Sequence, residues 1–315
     1  MLNKTIWLLW LQGWSKAPSL IKEVAQSWEI NNPNWNIEYL TADNLHQYVS
    51  DIEYIYDESK EIGYQARADI IRLSLLKNHG GVWADATMLC MQPLDPWIED
   101  AVGPAGLWMY HTHGGGMSCR NGPASWFIGS QKSGLIINKW KAACDEYWKN
   151  RVRADSYFWI DRRFKKLYQS DPEFKRKWDA APYLYAELRG QPHSFAHDYK
   201  IESNNQDIKK ILLEKPPFIL KFWWKEWCQK FPDMNSSDYK QSNACYAIQM
   251  SKRRFIYKHE MESKKSIGFW MKTSFWDCYF VIRMFPLEVT QRFKRGVAKV
   301  VKGLTSLKRS LSHSG

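Results

Sequence analysis

An α/β fold with a largely parallel sheet is the class this sequence predicts, and three observations carry it. Short apolar runs alternate with helical runs from residue 1 to about 130. Turn and breaker residues close most of these runs. The 315 residues, 44% of them hydrophobic, suffice for a buried core in one large domain or two modest ones.

The elements follow in order. Lys4 to Leu11 reads as a strand, because its apolar part, Ile6 to Leu11, is shorter than a signal-peptide core and lacks a small-residue cleavage site. Ser19 to Asn31 reads as a helix stopped by Asn32-Pro33, and Trp35 to Leu40 as a second strand. Thr41-Ala42-Asp43-Asn44 resembles a helix start. Glu61 to Asn78 is a long helical stretch with Ile70, Leu73 and Leu76 on related turns. His79-Gly80-Gly81 stops it, and Val82 to Met91 reads as a strand. From residue 131 to about 260 the chain is richer in helices, charges and aromatics. No internal repeat or low-complexity linker divides it, so residues 1–130 and 131–262 are expected to be two halves of one domain, followed by a tail over 263–315.

The formal charge is +12 at pH 7, with 18 Trp and 16 Tyr. Such a balance suits phosphate, nucleic acid or anionic lipid as a partner, and most of the tryptophans are expected in the core. Mean hydropathy is −0.53, and no window reaches the roughly 18 uncharged apolar residues of a membrane-spanning helix. Cys90, Cys119, Cys144, Cys228, Cys245 and Cys278 form no CxxC pair, which points away from a zinc or redox motif and fits a reduced, cytoplasmic setting.

The chemistry concentrates in ADIIRLSLLKNHGGVWADAT. Asp69 and Arg72 stand three apart on a predicted helix and share a face. Asp85 and Thr87 stand two apart on a predicted strand and point to one side of the sheet. The glycine pair between them folds helix onto strand, which gathers all four at one sheet edge, where open α/β sheets bind ligands. A carboxylate and a hydroxyl offer hard oxygens to a divalent cation, a second carboxylate accepts sugar hydroxyls, and an arginine binds carboxylate, sugar oxygen or phosphate. The bland alternative is a surface Asp69–Arg72 pair worth a few tenths of a kcal/mol and an Asp85 that merely ends a strand.

In this ordered spacing the chain resembles the capsular polysaccharide synthesis family, itself similar to the DxD-containing sugar-binding-region glycosyltransferases (family 32). KTIWLLWLQGW resembles the family's opening, and SWEINNPNW with YLTADN its next block. The match is good over residues 3 to 98. It is weaker from Ser125 to Trp224, where SWFIGS, SYFWID and ILKFWWK look like later blocks. The resemblance implies a GT-A fold, a Rossmann-like mixed sheet flanked by helices. It also implies a nucleotide-sugar donor such as UDP-hexose, Mn²⁺ or Mg²⁺, a glycan or lipid-linked acceptor, and retention of anomeric configuration in an α-linkage. It puts Trp10 at the base-stacking position, Asp69 and Arg72 at positions that hold the donor sugar, and Asp85 at the first Asp of DxD, so that Asp85, Asp69 and Arg72 carry the catalysis. The second Asp, the usual metal ligand, is Thr87 here, and a neutral hydroxyl holds a cation more weakly.

Lys221 and Lys225, beside Trp223 and Trp224, either close over the donor diphosphate or form a solvated basic edge. Asp161 either faces the acceptor or makes a helix-surface ion pair with Arg162 to Lys165. His111, His113 and Gly114 to Gly116 read as a loop that either lines the donor site or, as favoured, is plain surface. At the end of the chain Val289, Phe293, Val297, Val300, Leu304, Leu307 and Leu311 fall on one helical face, basic residues lie on its flanks, and no acid follows Glu288. A basic amphipathic helix over 286–311 is expected to lie on an anionic membrane surface, with a packed terminal helix as the alternative. The expected function is therefore a retaining glycosyltransferase extending a surface polysaccharide such as capsule or lipopolysaccharide, peripheral on the inner face of the plasma membrane. The competing classes are a basic membrane- or nucleic-acid-binding protein and an inactive membrane adaptor. No recognised nucleic-acid motif appears, and intact Asp69, Arg72 and Asp85 argue against the adaptor.

Overall fold

The computed structural model describes residues 2–112, 122–188, 191–193, 206–224 and 229–252. These fall within the first of two compact units, Met1–Glu260, and the tail expected over 263–315 lies outside the described residues. The chain runs β1 (Thr5–Leu9), α1 (Ser19–Asn31), β2 (Asn36–Leu40), α2 (Tyr64–His79), β3 (Gly81–Ala84), β4 (Met88–Cys90), α3 (Ile98–Val102), β5 (Leu107–Thr112) and β6 (Gly122–Ser130). The helices α4 (Leu135–Lys149), α5 (Trp159–Ser170), α6 (Pro172–Asp179) and α7 (Gln206–Glu214) follow, then β7 (Ile219–Lys221) and α8 (Ser237–Gln241), with helical turns again over 243–252.

A five-stranded sheet in the order β2-β1-β3-β6-β5 forms the centre. β1 pairs in parallel with β2 and β3, whereas β6 runs antiparallel to both β3 and β5. The sheet is thus mixed rather than largely parallel, because β6 enters it antiparallel to both of its neighbours. β4 and β7 form a separate antiparallel pair. The α/β class holds: helices flank a mixed sheet.

Three element boundaries move for physical reasons. The strand expected over Val82–Met91 breaks in two at residues 85–87, where Met88 N–H donates to the Asp85 carbonyl at 2.8 Å, and its halves join different sheets. The helix start expected at Thr41–Asn44 is a turn leading into one 3₁₀ turn, Leu45–Gln47. There the Asn44 side chain accepts from the Thr41 N–H and Thr41 Oγ1 from the Asp43 N–H. The helix expected from Glu61 begins at Tyr64, with Gly63 as its cap. The Gly80-Gly81 turn does need glycine: both have positive φ, and a Cβ on Gly81 would stand 2.5 Å from the Thr5 carbonyl oxygen.

The main core lies where α2, α4, α5 and α6 pack on one another beside the sheet, and a second cluster joins α1 to β4, β7 and the 243–252 turns. Most described tryptophans are core residues, Trp28, Trp83, Trp108, Trp140 and Trp159 among them. Asp69 through Leu76 are all buried, so α2 runs through the interior and shows solvent no face over two turns. No helix of the described residues is long and apolar enough to cross a membrane.

Candidate active site

The site assembles where β1 and β3 end. Trp7 pairs with Trp83 in parallel register, so the chain leaving β1 at Trp10 and the chain leaving β3 at Asp85 emerge along one edge of the sheet. Asp85 and Thr87 therefore stand in the β3–β4 turn and not, as the spacing suggested, on one face of a strand.

Arg72 is the hub. It sits in the buried run of α2, where a guanidinium must find acceptors to repay its desolvation. Its Nη2 lies 3.2 Å from Asp69 Oδ1 and 3.2 Å from Asp85 Oδ1, and its Nη1 donates to the Ser125 carbonyl at 2.6 Å. Its Cζ lies 5.2 Å from the centroid of the Trp83 ring. Arg72 and Asp69 are each only 5% exposed, which removes the surface-pair alternative. Asp85 is held at further points: Trp83 Nε1 donates to Oδ1 at 2.8 Å, and its own N–H donates to the Trp126 carbonyl at 2.9 Å. Its side chain keeps 29% exposure, so the carboxylate is fixed from behind and open in front.

Two more charges complete the cluster. Lys221 arrives from β7, whose antiparallel register sets it opposite Met88, one residue past Thr87. Phe222 N–H also donates to the Thr87 carbonyl at 2.9 Å, which ties this strand to the turn. The Lys221 ammonium lies 5.1 Å from the centroid of the Trp126 ring. Burial pushes its pKa down to about 8, against the pull of Asp85. Asp161 stands in the first turn of α5, and its Oδ1 is buried without a hydrogen-bond partner. Burial, with the neighbouring Asp69 charge, raises Asp161 to about 7. Burial likewise raises Asp69 to about 7, with Arg72 pulling it down and Asp85 pushing it up. The Trp159 indole beside Asp69 also favours its charged form, though its Nε1 makes no hydrogen bond of ordinary geometry. Near neutral pH the site thus offers one firmly held carboxylate, two carboxyls able to donate or accept, and two cations.

Trp10 flanks this cluster, its ring centroid 5.4 Å from that of Trp224 and 6.3 Å from that of Trp14. Trp224 is 37% exposed, so the pair presents aromatic surface at the edge. Of the residues singled out in the sequence, Asp69, Arg72, Asp85 and Lys221 come together electrostatically and Thr87 lies in the same turn. Lys225 is outside the described residues. Asp161 turns toward Asp69, Arg72 and Lys221 instead of pairing along its own helix. His111 belongs to β5, not to a loop: it is buried and stacked on Trp178 at 4.6 Å, while His113 and Gly114 to Gly116 lie outside the described residues.

For a divalent cation the donor set is lean. Asp85 Oδ1 is engaged by Arg72 and Trp83, which leaves Oδ2 and the Thr87 hydroxyl. Among the described residues no three acids, histidines or cysteines gather as a metal group. That set fits an ion whose remaining ligands are water and substrate phosphate, and not one caged by protein alone. Sequence reasoning missed Trp83, Ser125 and Trp126. Trp83 lay inside the quoted motif, whereas the Ser125 and Trp126 carbonyls act through the backbone and leave no side-chain signal.

Known proteins share parts of this chain. A stretch of 108 residues is 28% identical to "Putative glycosyltransferase HOC1" of Saccharomyces cerevisiae, covering 32% of this chain and 26% of that protein. A stretch of 103 residues is 27% identical to "Uncharacterized glycosyltransferase L373" of Acanthamoeba polyphaga mimivirus, covering 31% of this chain and 40% of that protein. The chain thus spans less than half the length of these relatives. Among solved structures it is similar in broad outline to "PaToxG Glycosyltransferase", with a TM-score of 0.38 and 14% identity over 80% of this chain and 87% of that one. The model of the capsular polysaccharide synthesis protein family matches residues 1–241, most of the chain, and the protein belongs to that family.

Proposed function

We infer that this chain is a glycosyltransferase that moves a sugar, a hexose from UDP in the first instance, from a nucleotide-sugar donor to a growing surface polysaccharide such as capsule or lipopolysaccharide. The observation that carries the reading is Arg72, buried between Asp69 and Asp85 at the sheet edge with Lys221 facing them. A buried ion cluster of this kind is seldom worth its desolvation as a stabilising device, and shifted carboxyls beside cations at a sheet edge are a common mark of a working site. Family membership and two relatives named as glycosyltransferases support it.

In this reading Trp10, with Trp224 beside it, stacks on the base. Lys221 supplies positive charge to the diphosphate, and Lys225 is proposed to join it. Asp69 and Arg72 hold the donor sugar: a carboxyl near its titration point accepts from or donates to hydroxyls, and Arg72 keeps Asp69 and Asp85 at fixed spacing. Asp85 Oδ2 and Thr87 would hold Mn²⁺ or Mg²⁺ jointly with the diphosphate, and such an ion neutralises the leaving group's charge. Asp161 faces the same space and is assigned to the acceptor side. Retention of configuration in a GT-A fold and an α-linked product follow the resemblance. A position on the inner membrane face, reached through 286–311 and serving a lipid-linked acceptor, follows the acid-free tail.

The test is a donor panel. Purified protein is incubated with UDP-, GDP- and CMP-sugars in Mn²⁺ or Mg²⁺, and the released nucleotide is read by mass spectrometry. One donor should turn over, and Asp85→Asn should slow it by far more than tenfold, a loss well above about 1.4 kcal/mol of barrier. No release above the Asp85→Asn level from any donor would end the transferase reading.

A further inference from the structure

A cleft of about 670 Å³ opens between α4 and α5, and none of the site residues above lines it. Its size falls within the ~300–1,000 Å³ of ligand pockets. Three cations line it: Arg151, Arg163 and Lys166. None of the three makes an ion pair among the described residues, and Arg163 Nε is buried without a hydrogen-bond partner. The one acid of the lining, Glu146, is already engaged by Lys149 at 2.6 Å.

The arginines are held in place. Both stack on the Tyr147 ring, with Cζ 4.4 Å from its centroid for Arg151 and 4.7 Å for Arg163. Tyr147 itself cannot turn: its hydroxyl bonds Asp155 at 2.9 Å and accepts the Asp155 N–H at 2.8 Å, and its ring stacks on Trp159 at 5.3 Å. Lys60 Nζ donates to the Trp148 carbonyl at 2.7 Å and to the Arg151 carbonyl at 2.9 Å, which caps α4 and fixes the segment carrying Arg151. Two like charges are thus kept against one ring, neither ion-paired among the described residues, and an entering anion would relieve their mutual repulsion. The floor is guanidinium rather than bare aromatic surface, so it selects charge, and a planar fork takes carboxylate or phosphate in bidentate fashion. Asn150 adds neutral donors and acceptors suited to hydroxyls. Trp159 links the cleft to the candidate site, since it stacks on Tyr147 and lies beside Asp69.

We propose that this cleft binds an acidic stretch of saccharide through its carboxylate or phosphate groups and so holds the glycan being extended. The glycan assignment rests on the transferase reading; the selectivity for an anionic sugar does not. The test uses the full chain and a fluorescent oligogalacturonate, read by anisotropy at low and high salt without any nucleotide-sugar. Wild type should bind it and ignore a neutral maltooligosaccharide. Arg151→Gln with Lys166→Gln, both exposed positions, should weaken binding at least about tenfold, or 1.4 kcal/mol, with melting temperature and donor hydrolysis unchanged. The tail's cations are the same in both proteins, so their contribution cancels. Glucuronate and glucose 6-phosphate as competitors tell which anion is preferred, and either preference supports the site. Equal binding by wild type and variant overturns the proposal. Inorganic phosphate binding as tightly as the oligosaccharide overturns the saccharide assignment. Absent donor hydrolysis with variant-sensitive saccharide binding would instead remove the transferase reading and leave the cleft standing.

Discussion

Arg72→Lys separates geometry from charge at the hub of the site. Arginine meets three acceptors at once: Asp69 and Asp85 at 3.2 Å through Nη2, and the Ser125 carbonyl at 2.6 Å through Nη1. A lysine keeps the positive charge, so the carboxylates retain a counterion, but a single ammonium on a flexible stem does not span the same fork. The Ser125 carbonyl and one carboxylate then lose a bond. Each hydrogen bond to a charged group contributes roughly 1.5–3 kcal/mol, so allowing for partial rescue the variant should lose about 2–4 kcal/mol of stability. Asp85 keeps only Trp83 as a side-chain anchor, and misplacement by about 1 Å can cost on the order of 10²-fold in rate. Urea unfolding gives the first number and nucleotide release from the donor gives the second. Arg72→Met sharpens the case. Without the guanidinium, Asp69 has lost what pulls its pKa down, so it titrates higher, and the stability lost as pH rises through that pKa should exceed that in wild type. A lysine variant within about 0.5 kcal/mol of wild type, the range of a neutral surface change, and with nearly full turnover, would refute the clamp.

Asp69 gives a pH signature of its own. Its folded pKa, about 7, lies above the roughly 3.9 of an unfolded chain, so the stability it contributes is complete below about pH 4 and is lost as pH rises through 7. Denaturation of wild type and Asp69→Asn at several pH values should show wild type losing up to roughly 4 kcal/mol relative to the variant across that window, and a pH-independent difference would mean an Asp69 held ionised by Arg72. Thr87→Asp should tighten the Mn²⁺ or Mg²⁺ requirement for donor hydrolysis, whereas full wild-type activity after exhaustive chelation would assign diphosphate neutralisation to lysine and arginine alone. Truncation before Pro286 should abolish sedimentation with anionic liposomes but spare donor hydrolysis, since each Lys or Arg near an anionic leaflet contributes roughly 1 kcal/mol; unchanged sedimentation would move the membrane contact elsewhere.

Local chemistry was legible in the sequence. Helix α1 spans the predicted Ser19–Asn31, because Pro18 starts it and Asn32-Pro33 cannot continue it. The Asp69–Arg72–Asp85 constellation was visible because a helix, a glycine turn and a short strand are consecutive, so their spacing brings the three to one place. The β3–β4 break was not visible. Val82 to Met91 is apolar enough to read as one strand, and the interruption depends on the Trp126 carbonyl and Phe222 N–H, both remote in sequence.

By itself, then, the sequence determined the α/β class, the core elements and the resemblance that family membership bears out, because propensity, periodicity and motif spacing act over a few residues. The tertiary structure decided the rest. It buried the middle of α2, Asp69 through Leu76, on all sides, which turned a plausible surface ion pair into a desolvated clamp. It brought Lys221 from β7 beside the β3–β4 turn and Asp161 from α5 toward Asp69 and Arg72, all far apart in the chain. It also stacked Arg151 and Arg163 on one tyrosine. These outcomes depend on strand register and helix packing, and a charge's strength depends on how much water that packing leaves around it.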